Sequence, residues 1–103
     1  MGQVAVIAKM TAKEGRRDEL VKVLQELVDA TESEPGTLFY AMNTSGTSPE
    51  DVWFYEVYRD NDALGAHGGS ETMKKAGGAL ADLLAGRPEL HLLELVSGKN
   101  LPA

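Results

Sequence analysis

Glu56 lies inside the run Val52-Trp53-Phe54-Tyr55-Glu56-Val57-Tyr58, and His67 follows in the next segment. Aromatic and β-branched side chains suit a pleated, half-buried strand. A carboxylate in the middle of one must be exposed, paired, protonated or used. A histidine titrates near neutrality, so it can take a proton from a substrate or hold a hydrogen bond to it. Each residue also has a plainer reading. His67 would serve equally as a neutral, hydrogen-bonded histidine at a helix–sheet boundary. Glu56 would serve as a structural acceptor or an ion pair with Lys9 or Arg59. Tyr40, Trp53, Phe54, Tyr55 and Tyr58 are candidate walls of an aromatic pocket, and equally core or interface residues. Met42 and Met73 fit as gap fillers.

Other chemistries lack the necessary residues. No Gly-rich phosphate-binding spacing is present. His67 and His91 are the only histidines, in no ligand spacing, and the chain has no cysteine, so no metal site is expected. Ser70 lies three residues after His67 but has no orienting group or oxyanion hole to make it a nucleophile.

The elements that would position Glu56 and His67 follow from hydrophobic period. Residues 4–10 alternate as a strand, with Val4, Val6, Ala8 and Met10 on one side. Residues 16–32 read as a helix with Leu20, Leu24, Leu27, Val28 and Thr31 in one stripe, ended by Pro35-Gly36. Residues 37–43 and 52–59 read as a hairpin around the turn-forming stretch 44–50. Asp60 or Asn61 caps a short helix carrying Leu64 and His67. Gly68-Gly69 interrupts it, and Ser70-Glu71 restarts a second stripe of Met73, Ala76, Leu80, Leu83 and Leu84. Gly77-Gly78 inside that stripe suggests close packing on the sheet. Residues 90–97 form the last strand.

The order strand–helix–strand–strand–helix–strand is the split βαβ, ferredoxin-like pattern, an α+β fold with a four-stranded antiparallel-type sheet. It places the first and third strands in the middle. Helices can cover only one face, yet both parities of the strands are apolar, so the second face needs another cover. A homodimer, sheet to sheet, is the expectation. Parity puts Phe54, Glu56 and Tyr58 on the side of His67, and Trp53, Tyr55 and Val57 at the dimer interface.

The 103 residues suit one domain spanning 1–103. The charge of -6, with ten scattered basic residues, argues against nucleic acid. No apolar run reaches the length needed to span a bilayer, and no secretory leader is read at the start. A reducing cytoplasm fits a cysteine-free chain.

Glu34-Pro35-Gly36, Tyr40, Tyr55-Glu56-Val57-Tyr58 and Ala63-Leu64-Gly65-Ala66-His67, in this order and spacing, resemble the antibiotic biosynthesis monooxygenase (ABM) domain family of the dimeric α+β barrel superfamily. The resemblance implies a small homodimer. It implies a monooxygenase that oxidises a quinol or an aromatic polyketide-like substrate with O₂ and no cofactor. Its site would use His67 as base or hydrogen-bond partner and Glu56 as orienter or second polar contact. Tyr40, Phe54, Tyr58 and Met73 would be pocket walls. The partners implied are a second copy, a small aromatic molecule and oxygen. The alternative is a non-catalytic small-molecule-binding or stress-associated dimer of the same fold. Many relatives carry a second His, usually followed by Phe, where this chain has Glu71-Thr72, so the family pattern does not extend to that edge. The first strand lacks the asparagine of the haem-degrading branch, and His67 stands where that branch has tryptophan, which argues against haem degradation.

Overall fold

The alternating and helical periods become β1 (Val4–Thr11), α1 (Arg17–Ala30), β2 (Thr37–Thr44), β3 (Asp51–Tyr58), α2 (Asn61–Gly68), α3 (Glu71–Leu83) and β4 (Glu89–Glu94). The computed structural model describes residues 2–101. The four strands are antiparallel neighbours in the order β2-β3-β1-β4, so β1 and β3 are central as expected. This is the ferredoxin-like α+β arrangement. No helix among the described residues is long and apolar enough to cross a membrane.

One face of the sheet carries the core. Leu20, Leu24 and Leu27 project from α1 onto Val6, Ala8, Val52, Phe54 and Tyr58, and all are almost wholly buried. Burying a leucine of this kind contributes about 1.5–3 kcal/mol. α3 lies beside α1, and α2 rests against β2 and β3.

Two local details differ from the sequence expectation, the end of α1 and the Gly77-Gly78 pair, and one follows it, the break at Gly68-Gly69. α1 ends at Ala30 and tightens into a 3-10 turn over Thr31–Ser33. The Thr31 hydroxyl donates to the Val28 carbonyl at 2.6 Å, a local bond that competes with helix continuation. The segment 61–83 is two helices. The Gly69 amide closes α2 on the Gly65 carbonyl, and the Ser70 hydroxyl caps α3 by accepting from the Met73 amide at 3.2 Å. Ser70 is thus a cap. Gly77 and Gly78 are exposed, with nothing near the position a Cβ would take, so they do not mark close packing on the sheet.

β4 stops at Glu94 because its partner β1 begins opposite it, at Val4. The helices lean toward β2 and β3, so both faces of β4 are open. Leu90 and Leu92, which share the helix-side parity, are 59% and 64% exposed.

Candidate functional site

Strand parity sets the site. Val52, Phe54, Glu56 and Tyr58 occupy the helix-covered face of β3 and all are buried. Cross-strand pairing puts Tyr40 of β2 directly opposite Glu56 on one side and Val6 of β1 on the other. α2 is capped by Asp60, whose carboxylate accepts from the Ala63 amide at 2.9 Å. One turn further on, His67 points inward with 5% of its surface exposed.

Its imidazole lies between two phenol rings. The Tyr40 centroid is 4.9 Å away and that of Tyr58 is 5.5 Å away. Tyr40 also leans on Phe54 at 4.9 Å. The parity expectation therefore holds: Phe54, Glu56 and Tyr58 face the same side as His67. Met73 is half-buried against the same core.

The two carboxylates hold different partners. Tyr58 donates its hydroxyl to Glu56 Oε1 at 2.5 Å, two residues along one strand face. Lys9 and Arg59, the ion-pair partners considered from sequence, are elsewhere. Lys9 is on the opposite face, 3.8 Å from Glu89 and over the Trp53 ring, and Arg59 lies 3.5 Å from Asp60. The carboxylate hydrogen-bonded to His67 is Glu34: its Oε1 is 2.8 Å from Nδ1. The same oxygen accepts from the Thr37 hydroxyl at 2.8 Å. Glu56 does not orient His67 by a hydrogen bond.

Sequence reasoning named neither Glu34 nor Thr37 as a site residue. Period-2 alternation from Tyr40 would turn Thr37 to the far side. A bulge between Thr37 and Phe39 adds one residue to β2 and places Thr37 opposite Tyr58, on the side of Glu34. The available signal was Pro35, which holds the preceding residue extended. Glu34 adopts φ -111 and ψ 91, off the helical path.

Burial raises the Glu56 carboxyl above the ordinary carboxylate range. The Tyr58 bond and the neighbouring His67 pull it partly back. Burial also pushes both phenols up. Tyr40 is raised further by the charges of Glu56 and Glu34, and Tyr58 by its bond to Glu56 and then by neighbouring charge. Both phenols are therefore donors at neutral pH.

No buried polar side-chain atom among the described residues lacks a hydrogen-bond partner. His67 Nε2, Glu56 Oε2 and the Tyr40 hydroxyl make no hydrogen bond, so each keeps access to space that water or a ligand atom can reach. A cleft of about 380 Å³ opens on the Glu34 side of His67, lined by Glu34, Gly36, Thr37, Ala63, Ala66 and His67 but not by Tyr40, Phe54, Glu56, Tyr58 or Met73. The arrangement offers one basic nitrogen, one phenolic donor and one carboxylate oxygen beside aromatic walls.

Residues 3–78, which contain every one of these side chains, match the model of the family described as antibiotic biosynthesis monooxygenase. The chain belongs to this family. A crystal structure of a candidate antibiotic biosynthesis monooxygenase from Caulobacter crescentus shares 32% identity and superposes with a TM-score of 0.87, over 93% of this chain and 92% of that one. A second from Chloroflexus aurantiacus, at 28% identity, gives 0.82 over 95% and 97%. A Mycobacterium tuberculosis protein at 24% identity gives 0.87 over 95% and 99%, a likeness of fold. An uncharacterised Synechocystis sp. protein is 24% identical over 95% of this chain and 67% of its own length. The ABM fold seen here thus recurs in distant bacteria.

Proposed function

We propose that this ABM protein is a monooxygenase that oxidises a small quinol, or a related aromatic polyketide-like substrate, with O₂ and without a cofactor. The observation that carries the reading is the unpartnered Nε2 of a buried His67, held between the Tyr40 and Tyr58 rings beside Glu56.

Nε2 accepts the proton of a phenolic hydroxyl. The Tyr40 hydroxyl, kept protonated by burial, donates to the resulting oxyanion. Glu56 Oε2 accepts from a second substrate hydroxyl. Phe54 and Met73 supply apolar wall that limits water. The electron-rich anion reduces O₂ itself. A hydroquinone plus O₂ gives a hydroxyquinone plus water, one oxygen atom entering the ring and the other leaving as water.

We further propose that two copies associate through the open sheet face. Phe39 and Leu93 are each 45% exposed there, and Trp53 and Tyr55 are half-buried. Val57, named for that interface, is already covered within one chain, so Phe39, Tyr55 and Leu93 would supply the area. We also propose a cytoplasmic setting, with which a cysteine-free chain is compatible.

The second reading, a binding dimer without turnover, is favoured by one observation. Glu71, at the start of α3 where the family resemblance implies a second histidine, is exposed and lies 3.9 Å from Lys74. Oxygen uptake with a panel of hydroquinones under ¹⁸O₂ separates the two readings. Turnover with one labelled atom in the product and one in water supports the monooxygenase. Quinone binding without oxygen consumption supports the second reading.

A further inference from the structure

We propose that Glu34 is the positioning residue of His67, fixing both the plane of its ring and which nitrogen carries the proton. The proposal rests on the reading above only for what the freed nitrogen does to a substrate.

A neutral imidazole has one donor nitrogen and one acceptor nitrogen, and the partner of one decides the role of the other. Nδ1 faces Glu34 Oε1 at 2.8 Å. That oxygen already accepts the Thr37 hydroxyl, and an ionised carboxylate is an acceptor only. Nδ1 must therefore be the donor, which leaves the lone pair on Nε2. The reverse tautomer would set two acceptors against each other in a site where His67 is 5% and Glu34 19% exposed. Glu56 makes no hydrogen bond to His67; its Oε1 accepts from Tyr58.

The backbone is built to deliver Glu34 to this place. Pro35 keeps Glu34 extended. Gly36 then passes so close to α2 that a Cβ there would overlap the Ala63 side chain, and its carbonyl accepts the Arg59 amide at 2.9 Å. The turn is thereby fixed to both β3 and the helix that carries His67. The bulge that turns Thr37 inward supplies the second donor. Four consecutive residues, Glu34 to Thr37, thus serve one contact.

The test is the tautomer itself, read from long-range ¹⁵N–¹H correlations of histidine-labelled protein at a pH where the ring is neutral. The native protein should show His67 as the Nδ1–H form. Glu34→Ala should shift it to Nε2–H and lower kcat by at least about tenfold, with KM little changed, as wrong-tautomer variants of other catalytic histidines do. Glu34→Gln should keep Nδ1–H and most of kcat, because both neighbours are donors and will orient the amide oxygen toward themselves. Thr37→Val, a smaller change, should weaken the preference and serves if Glu34→Ala does not fold. An Nε2–H form in the native protein, or Nδ1–H retained in Glu34→Ala, would overturn the proposal. A native protein that oxidises no hydroquinone would count against the monooxygenase reading and leave the tautomer result to decide this one.

Discussion

The two faces of the central strand β3 are built from similar side chains and end in opposite situations. On the covered face, Val52, Phe54, Glu56 and Tyr58 are buried under the helices, and the face accommodates a carboxylate and an imidazole by pairing both. On the open face, Trp53 and Tyr55 stay half-exposed beside Phe39 and Leu93. Two ionisable groups, Glu56 and His67, thus lie inside among apolar ones, while large apolar side chains stay partly outside. Burying a polar group costs several kcal/mol unless it is hydrogen-bonded, so the bonds of Glu56 to Tyr58 and of His67 to Glu34 offset the cost of burying them. An exposed apolar patch carries no such requirement but favours association.

The comparison breaks most sharply on two phenylalanines. Phe54→Ala on the covered face should cost about 3–5 kcal/mol in urea unfolding, since it leaves a cavity in a close-packed core. Phe39→Ala on the open face should cost about 1 kcal/mol or less in the isolated chain, and should instead weaken self-association in sedimentation equilibrium. Equal stability losses from the two would erase the distinction between the faces.

A smaller effect comes from the polar pair. Tyr58→Phe keeps the ring and removes the donor, so it should cost about 1–3 kcal/mol by leaving Glu56 Oε1 unpaired. Glu56 also sharpens the comparison through pH. Its folded-state carboxyl is raised, so the folded protein binds the proton more tightly than the unfolded chain does. That favours the fold in acid and is lost as pH rises through the ordinary carboxylate range and beyond it. Glu56→Gln does not titrate. The native protein should therefore lose stability relative to Glu56→Gln as pH climbs from acid to neutral, measured by urea melts across that range. A relative gain would contradict the burial argument.

The smallest effect lies away from both faces. Gly77→Ala and Gly78→Ala, on the exposed side of α3 with free space at each Cβ, should each stabilise by up to about 1 kcal/mol in thermal unfolding.

The parity of β3 was legible in the sequence because a period of two is strict, and so were the central positions of β1 and β3. The Tyr58–Glu56 bond was within reach of the same rule, since residues two apart on a strand share a face. Of the two plainer readings of Glu56, the structural acceptor is the one realised, and the ion pairs with Lys9 and Arg59 are not formed. The Glu34–His67 contact was not legible. It joins residues 33 apart, and the bulge at Leu38 reverses the side on which Thr37 falls. Gly77-Gly78 misled because a glycine pair in an apolar stripe fits close packing and an exposed helix face equally well. The bare helix side of β4 was hidden for a different reason: strand pattern says which side chains share a face, not how far the helices reach across it.

Oxygen uptake by His67→Gln tests the account most directly. The substitution retains bulk and hydrogen bonding but removes the base. With a hydroquinone that the native protein oxidises, and with the fold verified by circular dichroism, the rate should fall by at least about 100-fold. Uptake at the native rate would contradict the assignment of His67 as the group that takes the substrate proton.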